Sequence, residues 1–153
     1  MVDIPKGYET LLERPLYGHL ATTRPGGNAQ VNPMWFDWDG RRIRLTHTRT
    51  RQKFRNLQAE PRVALSITDP EESQRYLELR GVVEGVEDDA GGRFYRELRR
   101  RYGVDPDAPM PDVDARVVLV IRPETVLARS PAGPDGPPAI ERVTADDRRV
   151  FRP

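Results

Sequence analysis

The chain has 153 residues, a formal net charge of +1 and no cysteine. Its length suits a single domain with a buried core. A charge so close to zero provides no overall field that would attract nucleic acid or an anionic membrane. The absence of cysteine excludes disulfides, thiol catalysis and thiolate metal sites, and two histidines are too few for a histidine-rich metal site.

No apolar run approaches the roughly 20 residues that a membrane-spanning helix needs. The first residues, MVDIPKGYETLL, lack the apolar core of a secretory signal. We therefore expect a cytoplasmic protein with neither a membrane nor a nucleic acid as its partner.

The first part of the chain predicts a helix followed by three strands, over residues 5–13, 16–23, 30–38 and 42–48. Pro33 has no N–H to donate, so the second strand is expected to lie at a sheet edge or to be interrupted there. Asp39 and Gly40 are typical of a two-residue hairpin turn between the second and third strands. On the third strand, Thr46 and Thr48 share a polar face. Their hydroxyls can bind a flat polar ring or simply face solvent, and the pattern leaves both open.

A short helix is predicted over residues 51–59. Thr50 is its expected N-cap, since a hydroxyl there can accept a hydrogen bond from a free backbone N–H. Phe54 and Leu57 are three residues apart and can share a buried face. Pro61 cannot continue a helix and disfavours helical geometry at the residue before it.

The start of this helix is basic, with Arg49, Arg51 and Lys53 close together. A helix N-terminus already carries about half a positive charge, so these cations are unfavourable there unless an anion binds. Free N–H groups, the dipole and the side chains would then all favour a phosphate. The alternative is that the chain is simply arginine-rich, with 23 arginines and 2 lysines. Lys53 fits that alternative poorly, because lysine is almost unused elsewhere.

The second part predicts strands over residues 62–68, 76–86, 116–121 and 125–129, and a helix over residues 88–102. Asp89 is expected to cap the helix and Gly103 to end it. Its arginines at 96 and 99–101 are interpreted as a solvated face. The strand over residues 116–121 is the most apolar and is expected to be central. Residues 130–153 show no sustained periodicity and are predicted to be a proline-rich, extended or flexible tail after a domain at 1–129.

Six or seven strands, spaced as hairpins with one helical insertion, favour a mostly antiparallel barrel over a doubly wound sheet. There is no glycine-rich dinucleotide motif, no phosphate-binding Walker loop and no nucleophile elbow. The carboxylates form no evident acid–base pair. The sequence therefore names no catalytic residue.

Three short motifs occur in a recognisable order: NPMWF at residues 32–36, RIRLTHTRTRQKFRNLQAEPRVAL at residues 42–65 and LELRG at residues 77–81. Together they resemble the split-barrel flavin-binding proteins of the pyridoxamine 5′-phosphate oxidase type. The stretch LATTRPGGNAQVNPMWF at residues 20–36 resembles in particular the actinobacterial branch that uses the deazaflavin coenzyme F420. The resemblance implies a mainly β fold, a six-stranded antiparallel split barrel of the FMN-binding type.

The resemblance also implies where a cofactor is held. Its phosphate would lie where the third strand enters the helix, and its ring system would lie along the strands. Family members are homodimers with two sites at the subunit interface, and Trp35 and Tyr76 either line such a pocket or pack in the core. The implied cofactor-binding residues are Asn32, Pro33, Trp35, Thr46, Thr48, Arg49, Arg51, Gln52, Lys53 and Tyr76.

The expected cofactor is coenzyme F420, with FMN as the alternative. Four cations near one helix end, Arg49, Arg51, Lys53 and Arg55, suit the more anionic F420. The resemblance implies an F420-dependent reductase that passes a hydride to an unidentified conjugated small molecule. An FMN-dependent oxidoreductase or oxidase of the same fold and a non-catalytic F420 carrier are the alternatives.

Overall fold

The computed structural model describes residues 2–133 and 137–145, which fold mainly into antiparallel strands with short helices. The helices are α1 (Glu9–Glu13), α2 (Gln52–Ala59) and α3 (Arg93–Arg101), with a 3-10 turn at Val113–Ala115. The strands are β1 (Gly18–Thr23), β2 (Ala29–Met34), β3 (Asp37–Trp38), β4 (Ile43–Thr48), β5 (Arg62–Thr68), β6 (Tyr76–Asp88), β7 (Arg116–Ser130) and β8 (Ala139–Thr144). The predicted fold class is confirmed, but the described residues form eight strands rather than six.

Strand β7 is central, as its apolar sequence predicts. The strand order is β2-β1-β5-β6-β7-β4-β3, and β8 also pairs with β7. The two strands predicted over residues 116–121 and 125–129 are parts of this one strand. Pro123 can lie inside it because the β6–β7 register shifts between Arg80 and Gly81, and such a bulge locally disrupts the hydrogen-bond ladder. Gly81 is required there, since a Cβ would lie 2.2 Å from the Arg122 carbonyl oxygen.

The strand predicted over residues 30–38 is both an edge strand and an interrupted one. β2 lies at one end of the strand order and ends at Met34, and the chain resumes pairing in β3, which is antiparallel to β4. Pro33 lies opposite His19 of β1. An edge position tolerates the missing N–H of Pro33 because that side of the strand has no neighbour to receive it.

The segment predicted as a tail contributes a strand. Residues 139–144 form β8, which pairs antiparallel with Thr125–Ser130 of β7, so the predicted boundary at residue 129 falls inside β7. Most side chains of β8 are exposed, including Ile140 at 62%. With neither face well buried, β8 has no reason to alternate polar and apolar residues, so pattern analysis misses it. Residues 146–153 lie outside the described ranges.

Alternate residues of β7 point to two hydrophobic clusters. Val117, Leu119 and Ile121 join the main core, which also includes α1 and α2, while Val118 and Val120 pack against α3. This alternation is the two-residue period of a strand covered on both faces. None of the helices within residues 2–133 and 137–145 is long and apolar enough to span a bilayer.

Helix α3 begins later than predicted, at Arg93, and the expected cap acts from outside it. The Asp89 carboxylate accepts hydrogen bonds from the backbone N–H groups of Phe94 at 3.0 Å and Tyr95 at 3.2 Å. Gly103 follows the helix with φ +68°, the left-handed conformation that glycine adopts readily.

The interpretation of the α3 arginines as a solvated face is wrong for two of them. Arg99 is 7% exposed and donates to the backbone carbonyls of Ala108 and Pro109 at 2.5 and 3.3 Å. Arg101 donates to the carbonyls of Leu12 and Arg14, both at 2.9 Å. These guanidinium groups hold the proline-rich connection and the segment after α1 against the helix.

Candidate functional site

A pocket of about 530 Å³ lies where β2, the end of β4 and the start of α2 meet. This volume is in the range of small-molecule sites, roughly 300–1,000 Å³. Of the described residues that line it, three are arginine or lysine and none carries a carboxylate, so the pocket suits an anionic ligand. The lining residues are Gln30, Asn32, Pro33, Met34, Thr46, His47, Thr48, Arg51, Gln52, Lys53 and Arg116.

Lys53 is the least satisfied charge of the pocket. Its side chain is 5% exposed, and its Nζ lies 3.1 Å from the thioether sulfur of Met34, a weak acceptor. Within the described part of the chain it forms no ion pair. Burial, and next the positive charge of Arg51, lower the pKa of Lys53 to about 8. A buried ammonium without a carboxylate is costly, so this position favours an anion, which the described residues do not supply.

The start of α2 also faces the pocket. The expected cap by Thr50 is wrong: the N-cap residue is Arg51, its backbone is extended, and no side chain in the described part of the chain caps the helix. The first turn contains no acidic residue. The N-terminal N–H groups and the positive end of the helix dipole therefore add to the attraction of Lys53 for an anion.

Asp112 accompanies the other two cations of the pocket. Its carboxylate accepts from Nη2 of Arg116 at 2.9 and 3.0 Å and lies 4.0 Å from Nη2 of Arg51. Arg116 also donates to Oγ1 of Thr46 at 3.3 Å, and its guanidinium lies 3.9 Å from the ring centroid of Tyr95. Arg116 is thus neutralised and held in place, whereas Arg51, with a side chain that is 66% exposed, remains available to a ligand.

His47 and Thr48 bring buried polar atoms to the pocket wall. Nε2 of His47 and Oγ1 of Thr48 have no hydrogen-bond partner within the described residues. Burial, and then the charges of Lys53, Arg51 and Arg116, lower the pKa of His47 to about 4. His47 is therefore neutral at pH 7, and its imidazole can bind a polar ligand atom.

The family model of pyridoxamine 5′-phosphate oxidase matches residues 4–130 of this chain. The chain belongs to this family. No curated protein matches it. The family assignment agrees with the order of motifs in the sequence and with the mainly antiparallel sheet.

Solved structures extend the likeness. The chain is similar to a protein named F420 reductase, with 54% identity and a TM-score of 0.78 over 80% of this chain and 98% of that one. A conserved hypothetical protein from Mycobacterium tuberculosis is 26% identical, with a TM-score of 0.64 over 82% and 84% of the two chains. General Stress Protein 26 from Bacillus anthracis is 19% identical, with a TM-score of 0.60 over 88% and 94%, and shows the shared fold alone.

The structure brings seven of the ten predicted site residues together along one pocket: Asn32, Pro33, Thr46, Thr48, Arg51, Gln52 and Lys53. Three lie elsewhere in the single chain. Arg49 lies 3.6 Å from Asp88 and over the ring of Phe54, and Trp35 stacks on Tyr102 with ring centroids 4.9 Å apart. Tyr76 begins β6, opposite Thr68 and Arg129.

Four lining residues are not among the predicted ones: Gln30, Met34, His47 and Arg116. Gln30 and Met34 are each two residues from Asn32, so the two-residue period of a strand places all three on one face and could have predicted them. No local pattern places Arg116 there, since it reaches the pocket because β7 pairs with β4, with Arg116 opposite Thr48. His47 is next to both threonines, but nothing in the sequence indicates that it is buried.

Proposed function

We propose that this protein is an F420-dependent reductase that transfers a hydride to an unidentified conjugated small molecule. The observation that carries the proposal is Lys53, a buried ammonium without a carboxylate partner in the described chain, beside an uncapped helix start. This arrangement supports an anionic cofactor. Similarity to the protein named F420 reductase, at 54% identity, supports the deazaflavin over FMN.

The residues of the pocket fit the two chemical parts of such a cofactor. Lys53, Arg51 and the first N–H groups of α2 would hold its phosphodiester, because all three favour negative charge. Thr48 and His47 have buried polar atoms without a partner among the described residues, and these atoms can bind the heteroatoms of a flat polar ring. When bound, reduced F420 supplies a hydride, and the protein supplies positioning and electrostatics.

The pocket favours a bound, oriented ring over acid–base catalysis by its own histidine. Because the pKa of His47 is lowered to about 4, its imidazole is neutral at pH 7 and cannot act as an imidazolium acid. Its role under this proposal is to hydrogen-bond the ring. The Asp112–Arg116 pair supports one wall by fixing the hydroxyl of Thr46.

We also propose that the protein acts as a homodimer, as the family resemblance implies. The edge strand β2 exposes Ala29, Val31 and Pro33 on its outer face, with Val31 61% exposed. An apolar edge strand next to the pocket supports a second subunit at this side. Light scattering of the purified protein would distinguish a dimer from a monomer by mass.

The test is a fluorescence titration of the purified protein with F420 and, in parallel, with FMN. We expect F420 to bind with micromolar or lower Kd and FMN to bind more weakly. Reduced F420 is then offered with a panel of conjugated acceptors while its oxidation is followed by absorbance.

The outcomes separate the candidate functions. Tight FMN binding with weak F420 binding would support an FMN-dependent oxidoreductase instead. Tight F420 binding without turnover on any acceptor supports a carrier. Failure to bind either cofactor would refute the proposed reductase function.

A further inference from the structure

A row of hydrogen-bonded side chains leads from Arg55 on the exposed face of α2 to Asn32 in the pocket wall. Between them lie Gln52 and Gln30, which also line the pocket, and the buried Asn56. Nη2 of Arg55 donates to Oε1 of Gln52 at 3.3 Å, and Nε2 of Gln52 donates to Oδ1 of Asn56 at 2.9 Å. Nδ2 of Asn56 donates to Oε1 of Gln30 at 3.0 Å, and Nε2 of Gln30 donates to Oδ1 of Asn32 at 3.1 Å. We call these five residues the amide relay.

The direction of the amide relay follows from the chemistry of its first member. A side-chain amide can turn by 180° and exchange its donor for its acceptor, so a row of amides alone could run either way. Arg55 removes that freedom because a guanidinium group only donates. Gln52 must turn its oxygen towards Arg55, which leaves its NH₂ for Asn56, and each later amide is constrained in the same sense.

The middle of the amide relay reinforces this direction. Asn56 is 0% exposed, so an amide hydrogen left without a partner there would be costly. In the observed direction its NH₂ group has two acceptors, Gln30 and Oγ1 of Thr22, the latter at 3.2 Å. Its oxygen receives the NH₂ of Gln52. Reversal would leave one hydrogen of Asn56 unpaired.

The last amide of the relay lies in the pocket wall. Asn32 lines the pocket, and its oxygen is occupied by Gln30. Its NH₂ group makes no hydrogen bond within residues 2–133 and 137–145, so a donor is what Asn32 can offer to a ligand. Arg55 itself is not among the residues that line the pocket.

We propose that Arg55 is a positioning residue that acts through the amide relay and makes Asn32 a hydrogen-bond donor to the ligand. The ligand therefore places an acceptor, a ring carbonyl oxygen or ring nitrogen, against Asn32. The identity of that ligand as F420 rests on the function proposed above, whereas the direction of the amide relay does not.

The first experiment uses the free protein. Through-hydrogen-bond NMR couplings between amide nitrogens and carboxamide carbons report which amide donates to which. We expect couplings from Gln52 to Asn56, from Asn56 to Gln30 and from Gln30 to Asn32. Couplings in the opposite sense would overturn the proposal whether or not any cofactor binds.

The second experiment reverses the hydrogen bonds of the amide relay by a substitution at Arg55, which does not line the pocket. Arg55→Glu replaces a donor with an acceptor, so Gln52 is drawn to turn its NH₂ outward and the reversed relay gains population. Arg55→Lys is the matched control, because an ammonium group also only donates. We expect Arg55→Glu to shift the NMR signals of the Asn32 amide and to weaken F420 binding about tenfold relative to Arg55→Lys.

A double-mutant cycle separates this effect from the change of charge. In an Asn32→Ala background the Arg55→Glu and Arg55→Lys proteins should differ less than about twofold, because the relay no longer ends in an amide. An undiminished difference in that background would mean that Arg55 acts on the ligand without Asn32, by charge or through Gln52 and Gln30, which also line the pocket. That result would overturn the proposed role. If F420 fails to bind the wild-type protein, the proposed function fails, while the couplings of the free protein still decide the relay.

Discussion

Two nearly buried cations, Lys53 on α2 and Arg99 on α3, have opposite surroundings. They are 5% and 7% exposed. Arg99 donates to the carbonyls of Ala108 and Pro109, and its guanidinium lies 4.6 Å from the ring centroid of Tyr95. Lys53 has the sulfur of Met34 beside its Nζ and no acidic residue in the first turn of its helix. Two buried cations on basic helices therefore differ in their partners among the described residues: Arg99 has strong acceptors, whereas Lys53 has only a weak one.

The difference lies in what the neighbouring segments supply. The proline-rich connection after α3 cannot pair its carbonyls in a regular ladder, and Arg99 satisfies them. The strands around Lys53 supply hydroxyls, amides and a thioether, which leave its charge uncompensated. A buried charge that weakens the free protein and strengthens binding is a common compromise at functional sites.

The largest effect that would test this comparison is the loss of stability on replacing Arg99. Arg99→Met keeps most of the side-chain volume but removes the hydrogen bonds of a buried guanidinium to part-buried backbone carbonyls, so we expect a loss of about 2–4 kcal/mol in the free energy of unfolding. Denaturant unfolding measures it, with exposed Arg100→Met as the control. A loss as small as that of the control would show that Arg99 is not a structural clamp.

Replacing Lys53 should weaken cofactor binding but stabilise the free protein, whereas replacing Arg99 should destabilise it. We expect Lys53→Met to weaken F420 binding about ten- to hundredfold, because a charge-assisted contact is lost. The free protein should become more stable, because an uncompensated buried charge is removed. Fluorescence titration and denaturant unfolding measure the two effects, and Lys6→Met is the matched control. Unchanged F420 affinity in Lys53→Met would show that the phosphate assignment is wrong.

The smallest effect is the pH dependence of cofactor binding. The pKa of Lys53 is lowered to about 8, so above that pH the free protein loses the proton that binding an anion requires. Affinity for F420 should therefore fall as the pH rises from 7 to 9, by up to about tenfold per unit above the pKa. Lys53→Arg stays charged in this range and should show no such fall. Equal pH profiles for both proteins would contradict the assignment.

The stability of the free protein should change with pH in the opposite direction. Between pH 8 and the ordinary lysine pKa of 10.5, the unfolded chain binds more protons at Lys53 than the folded one. The contribution of Lys53 to stability therefore rises with pH in that window.

Much of the region around the pocket could be predicted because its signals are local. Pro61 ends α2, and the residues after it predict β5 with the bounds that the structure has, Arg62–Thr68. The alternation of β2 and β4 and the basic start of α2 likewise depend on residues within a few positions of one another. These signals indicate four of the residues that line the pocket: Thr46, Thr48, Arg51 and Lys53. The other three predicted residues that line it, Asn32, Pro33 and Gln52, are implied by the family resemblance.

Other features depend on segments that are distant in sequence, so the sequence alone could not determine them. Arg116 reaches the pocket because β7 pairs with β4, and the amide relay requires α2 to pack beside β2. The burial of Arg99 depends on the course of the proline-rich connection, and β8 is recognisable only through its pairing with β7. The sequence by itself determined most of the elements and the basic helix start, because local propensity and period determine both. The tertiary structure decided which cations are satisfied and which amides line the pocket, because those outcomes depend on partners that only folding brings together.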